Sequence, residues 1–448
     1  MYSEKIEKEL ARLGVKTGDK IRVASGNAVE EGILMPRPEI GDNGILVIKR
    51  KDGYNIGIRF EGTKVEKIEE NGNKASTAKK TYKEKLPTHL PKVKILYTGG
   101  TIGSKIDYKT GGVHMLLKPE ELFYEVPELS DIANINVENL FSIASEDMTF
   151  IEWKKIAEHI VQIVKKNKDT KGIIITHGTD TMHYTASALS FMLTNLNIPI
   201  VLTGSQRSSD RGSSDAFMNL ICSSYIASRS DIAEVGICMH SSSNDDYCSF
   251  IRGVKARKLH TSRRDAFKAV NDKPLAYVKL NGEIKPANEY KKKSDQKQNT
   301  IDAKTNFDNK VALLKIYPNA NPDIINYYIE KKYNGIIIEG TGLGHIPVSG
   351  AHKELRFLDN IKKAIDSNII IGITSQCLFG RVNPYVYRNL RLLSDLGAIY
   401  CEDMLPETAY VKLGWLLGNY KKEQSKELLN KNLAGEIKER TEFDDEFI

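Results

Sequence analysis

The chain has 448 residues, 40% hydrophobic and 27% charged, a composition ordinary for a globular protein of roughly two to four domains. No run of about 18 apolar residues occurs and the first residues are charged, so we expect neither a membrane span nor a signal peptide. The five cysteines form no CxxC pair, which argues against structural zinc or a disulfide scaffold and favours a cytoplasmic protein. The net charge of +7 permits contact with nucleic acid but does not predict it.

Residues 1–66 predict a small domain of short strands. Glu4–Leu13 has the pattern of one helix, which ends at Gly14. Short apolar segments follow, and Asp52-Gly53 marks a hairpin between two of them. The segments are Lys20–Val23, Glu31–Leu34, Gly44–Ile48 and Asn55–Ile58. We expect an SH3-like β-barrel that braces a neighbour or docks a partner, followed by a polar linker at residues 67–91.

Residues 92–309 predict an α/β domain. Apolar strands alternate with helical patterns, which indicates a parallel sheet covered by helices on both faces. A helix is predicted directly after Asp180, where Met182, Ala186 and Leu189 recur at helical spacing. Residues 285–309 are polar and irregular and predict an exposed boundary. The strands are predicted at Val93–Tyr97, Ile173–Ile175, Ile198–Leu202 and Val235–Met239.

Residues 310–448 predict a second, smaller α/β domain. Its strands are predicted at Val311–Ile316, Gly335–Ile338 and Ile369–Ile373, and its helices near residues 322–332, 353–367, 384–396, 408–417 and 423–430. The glycines of Gly340–Gly344 could cradle a phosphate, but no P-loop lysine follows, so we do not expect nucleotide binding here.

Two glycine- and threonine-containing loops follow predicted strands of the first α/β domain. One is Thr98–Gly103 and the other is His177–Thr181. Glycines after a strand let the backbone bend sharply and approach a bound molecule. Because open α/β sheets bind ligands at the carboxyl ends of their strands, we expect the two loops to form two walls of one pocket.

These loops, with Ser145–Met148 and a lysine in Gly253–Lys258, resemble the L-asparaginase/glutaminase family over residues 92–448. The resemblance implies a two-domain asparaginase-like parallel-sheet fold that hydrolyses a side-chain amide. Two lysines compete for the family's lysine position. Lys258 fits the family spacing better than Lys255, since it stands five residues after the glycine.

Amide hydrolysis needs a nucleophile, a proton acceptor and a site for the developing oxyanion. By resemblance, Thr101 is the nucleophile, Thr179 and Lys258 activate it, and Asp180 orients the lysine and pairs with the substrate's ammonium. A lysine buried without full charge compensation can accept a proton. Two other interpretations remain open: Thr179 and Asp180 could cap the following helix, and Lys258 could be a surface cation.

Substrate binding needs partners for the two charges of a free amino acid. By resemblance, Ser145 donates to the α-carboxylate with help from backbone N–H groups at Gly100 and Gly178, and Glu146 is a possible ammonium partner. Ser145 could instead make only a local turn bond. His177 and His183 lack partners at metal-ligand spacing, so we expect no metal site.

The family resemblance also implies a lid residue, because many asparaginases carry a tyrosine about a dozen residues beyond the first loop. Here Thr110–His114 occupies that region, and Tyr108 falls short of it. We therefore expect either that Tyr108 substitutes or that a bound partner completes the lid. In either case we expect the isolated chain to have only weak glutaminase activity.

With its N-terminal extension, the whole chain resembles the glutaminase subunits of archaeal tRNA-dependent amidotransferases. That resemblance implies a GatE-like kinase/transferase partner in a heterotetramer of two plus two, with self-association through the asparaginase-like domains and tRNA(Gln) bound by the complex. It implies no cofactor in this chain, and ATP and Mg in the partner. The alternatives are a free-standing L-asparaginase and a non-catalytic tRNA-binding or scaffold protein.

Overall fold

The computed structural model describes residues 2–26, 28–35, 42–50, 55–68, 89–100, 102, 104–106, 113–115, 126, 128–207, 214–295 and 301–442. The N-terminal unit has one helix, α1 (Glu4–Arg12), and five antiparallel strands. These are β1 (Lys20–Ser25), β2 (Ala28–Leu34), β3 (Ile45–Lys49), β4 (Asn55–Arg59) and β5 (Thr63–Lys67), in the spatial order β4-β3-β2-β1-β5.

The core of this unit forms where α1 covers the sheet. Ile6 and Leu10 lie one helical turn apart and pack with Ile21 and Leu46, which confirms the helix prediction. Residues 51–54 of the predicted hairpin lie outside the described residues, although β3 and β4 pair antiparallel as it requires. Among the described strands, β4 and β5 are edges that do not pair with each other. Closure into an SH3-like barrel is therefore not confirmed, and the unit is an open antiparallel sheet.

The first α/β domain is built on an eight-stranded sheet with the order β18-β17-β14-β13-β12-β10-β6-β9. Its parallel strands are β6 (Lys92–Tyr97), β9 (Asn134–Asn139), β10 (Thr170–Thr176), β12 (Ile200–Thr203) and β13 (Val235–His240). Its antiparallel strands are β14 (Cys248–Arg252), β17 (Ala276–Val278) and β18 (Ile284–Pro286). The four predicted strands are thus confirmed, with ends that differ by at most three residues from those predicted.

Helices cover both faces of this sheet, as its apolar strands require. They are α2 (Leu129–Ile132), α3 (Phe150–Lys166), α4 (Met182–Met192) and α5 (Ala216–Arg229). One core lies under α3 and α4, and the other under α2 and α5. Three short pairs of strands lie outside the sheet: β7 (Ser104–Ile106) with β8 (Val113–Met115), β11 (Leu193–Thr194) with β19 (Asp302–Ala303), and β15 (Ala256–Lys258) with β16 (Phe267–Ala269).

The chain leaves β6 to form β9 on one side and then returns to form β10 on the other side. The crevice between the carboxyl ends of β6 and β10 is therefore the switch point of the sheet, where open α/β sheets bind their ligands. The two predicted pocket loops follow these two strands.

The second α/β domain has a parallel sheet in the order β20-β21-β22-β23, formed by Val311–Lys315, Gly335–Gly340, Ile370–Ser375 and Ile399–Tyr400. Its helices are α6 (Asp323–Glu330), α7 (Leu358–Asp366), α8 (Arg388–Asp395), α9 (Pro406–Asn419) and α10 (Lys422–Leu429). Buried side chains of α9 share one core with α4 of the first domain. No helix in the described ranges is long and apolar enough to cross a membrane.

The segment predicted to be an exposed boundary connects the two α/β domains, and most of its described residues are exposed or half-buried, but a few are held against the rest of the chain. Ile284–Pro286 is the edge strand β18, and Ile301 is 1% exposed. Phe307 packs edge-on against Trp153, with ring centroids 5.6 Å apart. A few apolar side chains within a polar sequence therefore anchor the connection between the two domains.

Candidate active site

The loop after β6 lies against the loop after β10. Thr98 donates from its backbone N–H and its hydroxyl to the Thr176 carbonyl, at 3.2 and 2.7 Å. Gly99 and Gly100 then adopt φ angles of +120° and +92°, a region that favours glycine. A Cβ on Gly100 would lie 2.5 Å from the carbonyl carbon of His177. Only a glycine therefore allows the two loops to approach this closely.

Thr101 in the first loop and Tyr108, the candidate lid residue beyond it, lie outside the described residues. Thr101 follows Gly100 directly and precedes Ile102, which is 1% exposed. The hairpin strands β7 and β8 stand on either side of Tyr108 in the sequence. The roles of both residues stay predictions.

The second loop brings three candidate residues together. Lys258 Nζ donates to Thr179 Oγ1 at 2.9 Å and to Asp180 Oδ1 at 2.7 Å. The Lys258 side chain is only 9% exposed, so it is not a surface cation. The competing Lys255 is fully buried and binds Asp403 Oδ2 at 2.6 Å instead. The structure thus places Lys258, rather than Lys255, beside Thr179.

Helix capping does not account for Thr179 and Asp180. Helix α4 begins at Met182, and Thr181 occupies its N-cap position. The Thr181 hydroxyl donates to the Ser145 carbonyl at 2.6 Å, which ties this loop to the turn that carries Ser145. Thr179 and Asp180 precede the cap, and both side chains bond to Lys258. The capping interpretation was therefore wrong.

The predicted substrate-binding residues lie on one turn and on the facing loop. Ser145 is 3% exposed and begins a short 3₁₀ turn, Ser145–Asp147. A Cβ on Gly178 would lie 2.8 Å from Ser145 Oγ, so the serine hydroxyl lies directly against this glycine. Glu146 is the next residue of the turn and is exposed. Ser145 therefore faces the loop of Thr179, while Glu146 is open to solvent.

A buried chain of hydrogen bonds supports the second loop from below. Trp153 Nε1 donates to Thr185 Oγ1 at 3.0 Å, and Thr185 Oγ1 lies 2.8 Å from His177 Nε2. His177 Nδ1 lies 2.6 Å from the Gly178 carbonyl, which can only accept, so this nitrogen carries the proton. The Thr185 hydroxyl therefore donates to Nε2. Every member of the chain is satisfied when the imidazole is neutral.

Burial keeps both predicted histidines neutral. It lowers the pKa of His177 to about 4, and together with the nearby cations Arg257 and Lys258 it lowers the pKa of His183 to about 3. Their positions in the core agree with the structural roles expected from sequence. Within the described part of the chain, no group of three or more His, Cys, Asp or Glu side chains is arranged to hold a metal ion.

Gln206 is a candidate residue that sequence reasoning did not identify. Its Oε1 accepts from Thr179 Oγ1 at 3.4 Å, and its Nε2 is buried without a hydrogen-bond partner among the described residues. The buried carboxylate of Asp215 accepts from the backbone N–H groups of Gln206 and Arg207, at 3.0 and 3.1 Å. The signal in the sequence is the position of Thr203–Arg207 directly after a predicted strand, where open α/β sheets bind ligands.

Three family models match the chain. The GatD N-terminal domain matches residues 15–68, the N-terminal asparaginase domain residues 92–292, and the glutaminase/asparaginase C-terminal domain residues 310–429. The chain is 46% identical over 447 residues to the D subunit of glutamyl-tRNA(Gln) amidotransferase from Thermococcus kodakarensis, covering 98% of both chains. It is 44% identical over 446 residues to the corresponding protein of Methanobrevibacter smithii, again covering 98% of both.

The chain belongs to the GatD family of glutamyl-tRNA(Gln) amidotransferase subunits. The fold of the two α/β domains is also that of solved L-asparaginases. The thermostable L-asparaginase from Thermococcus kodakarensis matches with a TM-score of 0.67 and 27% identity, covering 78% of this chain and 100% of its own. L-asparaginase I from Vibrio cholerae matches equally well by TM-score, at 29% identity and 78% coverage of this chain. Both asparaginases thus match only part of this GatD-family chain.

Proposed function

We propose that this chain is the glutaminase subunit of an amidotransferase that converts Glu-tRNA(Gln) to Gln-tRNA(Gln). It would hydrolyse glutamine and pass the ammonia to an ATP-using partner subunit in the cytoplasm. The observation that carries the proposal is the contact of Lys258 with both Thr179 and Asp180 at the switch point of the sheet. Membership of the GatD family supports this substrate over asparagine.

The proposed reaction proceeds through an acyl-enzyme. The Thr101 hydroxyl oxygen attacks the side-chain amide carbon of glutamine, and its proton passes through Thr179 to Lys258 Nζ, the proposed proton acceptor. The proton then goes to the leaving nitrogen as the C–N bond breaks, which releases ammonia and leaves a glutamyl ester on Thr101. Water hydrolyses this ester with the same amine as base, which restores the hydroxyl.

The residues around Thr179 and Lys258 would bind the two charged groups of glutamine and orient it. Asp180 uses one oxygen for Lys258, and its side chain is 68% exposed, so its other oxygen is available to the glutamine ammonium. Ser145 and the backbone of Gly178 would bind the α-carboxylate, since they lie together on the facing wall. Glu146 is the more distant choice for the ammonium because it points to solvent.

We assign ATP and Mg to the partner, a GatE-like kinase/transferase subunit, and place tRNA(Gln) on the complex. We also propose self-association through the asparaginase-like domains, in a heterotetramer of two plus two. The support is a set of exposed large apolar side chains on the loops that follow β20 and β22 of the second sheet. Its side chains Tyr317, Tyr385, Val386 and Tyr387 are 55–69% exposed.

Thr101→Ala and Thr179→Ala test the proposal in the complex with the partner subunit. Each variant should lose glutamine-dependent amidation by about 10²-fold or more, while ammonium-dependent amidation persists. Thr305→Ala, a threonine bonded to Glu158 outside the site, should behave as wild type. A diazoketone analogue of glutamine should label the peptide that contains Thr101.

The alternatives give different results in the same assays. Full asparaginase turnover by the isolated chain would favour a free-standing L-asparaginase. Loss of both glutamine- and ammonium-dependent amidation in Thr101→Ala would favour a structural role for the loop. We expect the isolated chain to be a weak glutaminase that the partner activates, so strong activity without the partner would contradict that expectation.

A further inference from the structure

Lys258 is carried by a small ribbon rather than by the main sheet. The ribbon consists of β15 and β16, and among the described strands these pair only with each other. Two strands of three residues cannot fix a side chain by their own pairing, because isolated two-stranded hairpins are marginally stable in water. Other contacts must therefore hold the Lys258 side chain beside Thr179.

The base of the ribbon is bound to the second α/β domain. Lys255, directly before β15, forms an ion pair with Asp403 at 2.6 Å, and their side chains are 0% and 1% exposed. Asn271, just after β16, donates to the Asp403 carbonyl at 3.0 Å and to the Gly380 carbonyl at 3.1 Å. Both legs of the ribbon are thus attached to the same turn of the other domain.

The outer face of the ribbon is bound to the same domain. Successive side chains of a strand point to opposite faces, so Arg257 faces away from the pocket that Lys258 enters. The Arg257 guanidinium pairs with Glu407, at the start of α9, whose side chain is 9% exposed. The neighbouring Thr408 hydroxyl donates to the Val254 carbonyl at 3.1 Å.

We infer that the second α/β domain positions the activating lysine, with Asp403 holding the base of the ribbon through Lys255 and Glu407 holding its outer face through Arg257. Asp403 and Glu407 are positioning residues, since each acts on Lys258 only through the ribbon. The inference rests on the proposed function, in which Lys258 is the proton acceptor. It assigns to the second domain a part in catalysis within the same chain.

Glu407→Gln in the complex with the partner subunit is the principal test, because this carboxylate is closer to solvent than Asp403. A displacement of about 1 Å at a catalytic group can lower a rate by about 10²-fold. We expect the kcat of glutamine-dependent amidation to fall roughly 10- to 100-fold, with KM for glutamine within about twofold. Ammonium-dependent amidation should be unchanged. The exchanged pair Arg257→Glu with Glu407→Arg should recover most of the lost kcat.

Glu138→Gln is the matched control. Glu138 is a half-buried carboxylate that pairs with Lys94 on the main sheet at 2.6 Å, and it has no bond to the ribbon. Its kcat should equal that of the wild type. Unchanged kcat in Glu407→Gln, an equal fall in Glu138→Gln, or no recovery in the exchanged pair would overturn the inference. If Thr179→Ala retains glutamine hydrolysis, the proposed function itself fails, whereas a failure of Glu407→Gln alone affects only the positioning role.

Discussion

Replacing Thr185 with valine tests the buried chain that supports the loop of Thr179 and Asp180. Valine has nearly the shape of threonine but no hydroxyl. The indole N–H of Trp153 would then lose its acceptor, and His177 Nε2 would lose its donor. Met148 Sδ, at 2.9 Å from Nε2, cannot replace that donor because a thioether carries no proton.

The expected loss follows from the two groups left unpaired in the core. His177 is 0% exposed and Trp153 is 6% exposed, so both unpaired groups lie in the core. Each unsatisfied buried polar group costs about 1–3 kcal/mol. We therefore expect Thr185→Val to lower the free energy of unfolding by roughly 2–6 kcal/mol. Thr185→Ser keeps the hydroxyl and loses one methyl group, which costs only about 1 kcal/mol.

Urea unfolding followed by tryptophan fluorescence measures this difference. The chain has two tryptophans, Trp153 and Trp415, and both are buried in the core shared by the α/β domains. The midpoint should fall further in Thr185→Val than in Thr185→Ser, with the slope of the transition unchanged. Equal midpoints for the two variants would refute the hydrogen-bond chain as a source of stability.

Three further predictions follow from burial and backbone geometry. Because the pKa of His177 is about 4 in the folded chain and near 6.5 when unfolded, the unfolded state binds the extra proton between these values. His177 should therefore lower stability by about 1.4 kcal/mol per unit as pH drops from 6.5 towards 4, and His183, whose pKa is about 3 in the folded chain, should add a loss of the same sign; a urea midpoint independent of pH would contradict this. Gly100→Ala should abolish glutamine hydrolysis in the complex, whereas Gly350→Ala, where a Cβ meets nothing within 4 Å, should leave it intact. Of the five cysteines only Cys377 is exposed, so the native chain should react with one equivalent of a thiol reagent and the unfolded chain with five.

Much of the architecture could be read from local patterns. Apolar β-branched runs alternate with helical periodicity, and the helix predicted after Asp180 is observed at Met182–Met192. The two pocket loops were identified by their position after strands, and parallel strands bring such loops to one edge of a sheet. Fold class and the general place of the site therefore follow from the sequence, because both depend on periodicity and on chain order.

Other features depend on contacts between distant residues. Tertiary contacts decide that β4 and β5 are open edges of the N-terminal sheet. They also decide that Phe307 anchors the connection between the domains by packing against Trp153. The local sequence pattern marks neither feature, because the pattern of a short strand is the same at the edge of a sheet as inside a closed barrel. The polar composition of the segment between the domains likewise concealed Ile301 and Phe307, the apolar side chains that pack against the core.

The choice between Lys255 and Lys258 shows most directly what the sequence predicts and what tertiary contacts decide. The two residues are three positions apart in similar sequence, and the family resemblance favoured Lys258 by spacing alone. The structure turns one towards Asp403 and the other towards Thr179. The sequence by itself determined that glycine- and threonine-containing loops follow two strands of the sheet, and its family resemblance predicted that a lysine joins Thr179 and Asp180 there. Only the tertiary structure decided which lysine it is, because side-chain direction on the ribbon is fixed by Asp403 and Glu407, about 150 residues further along the chain.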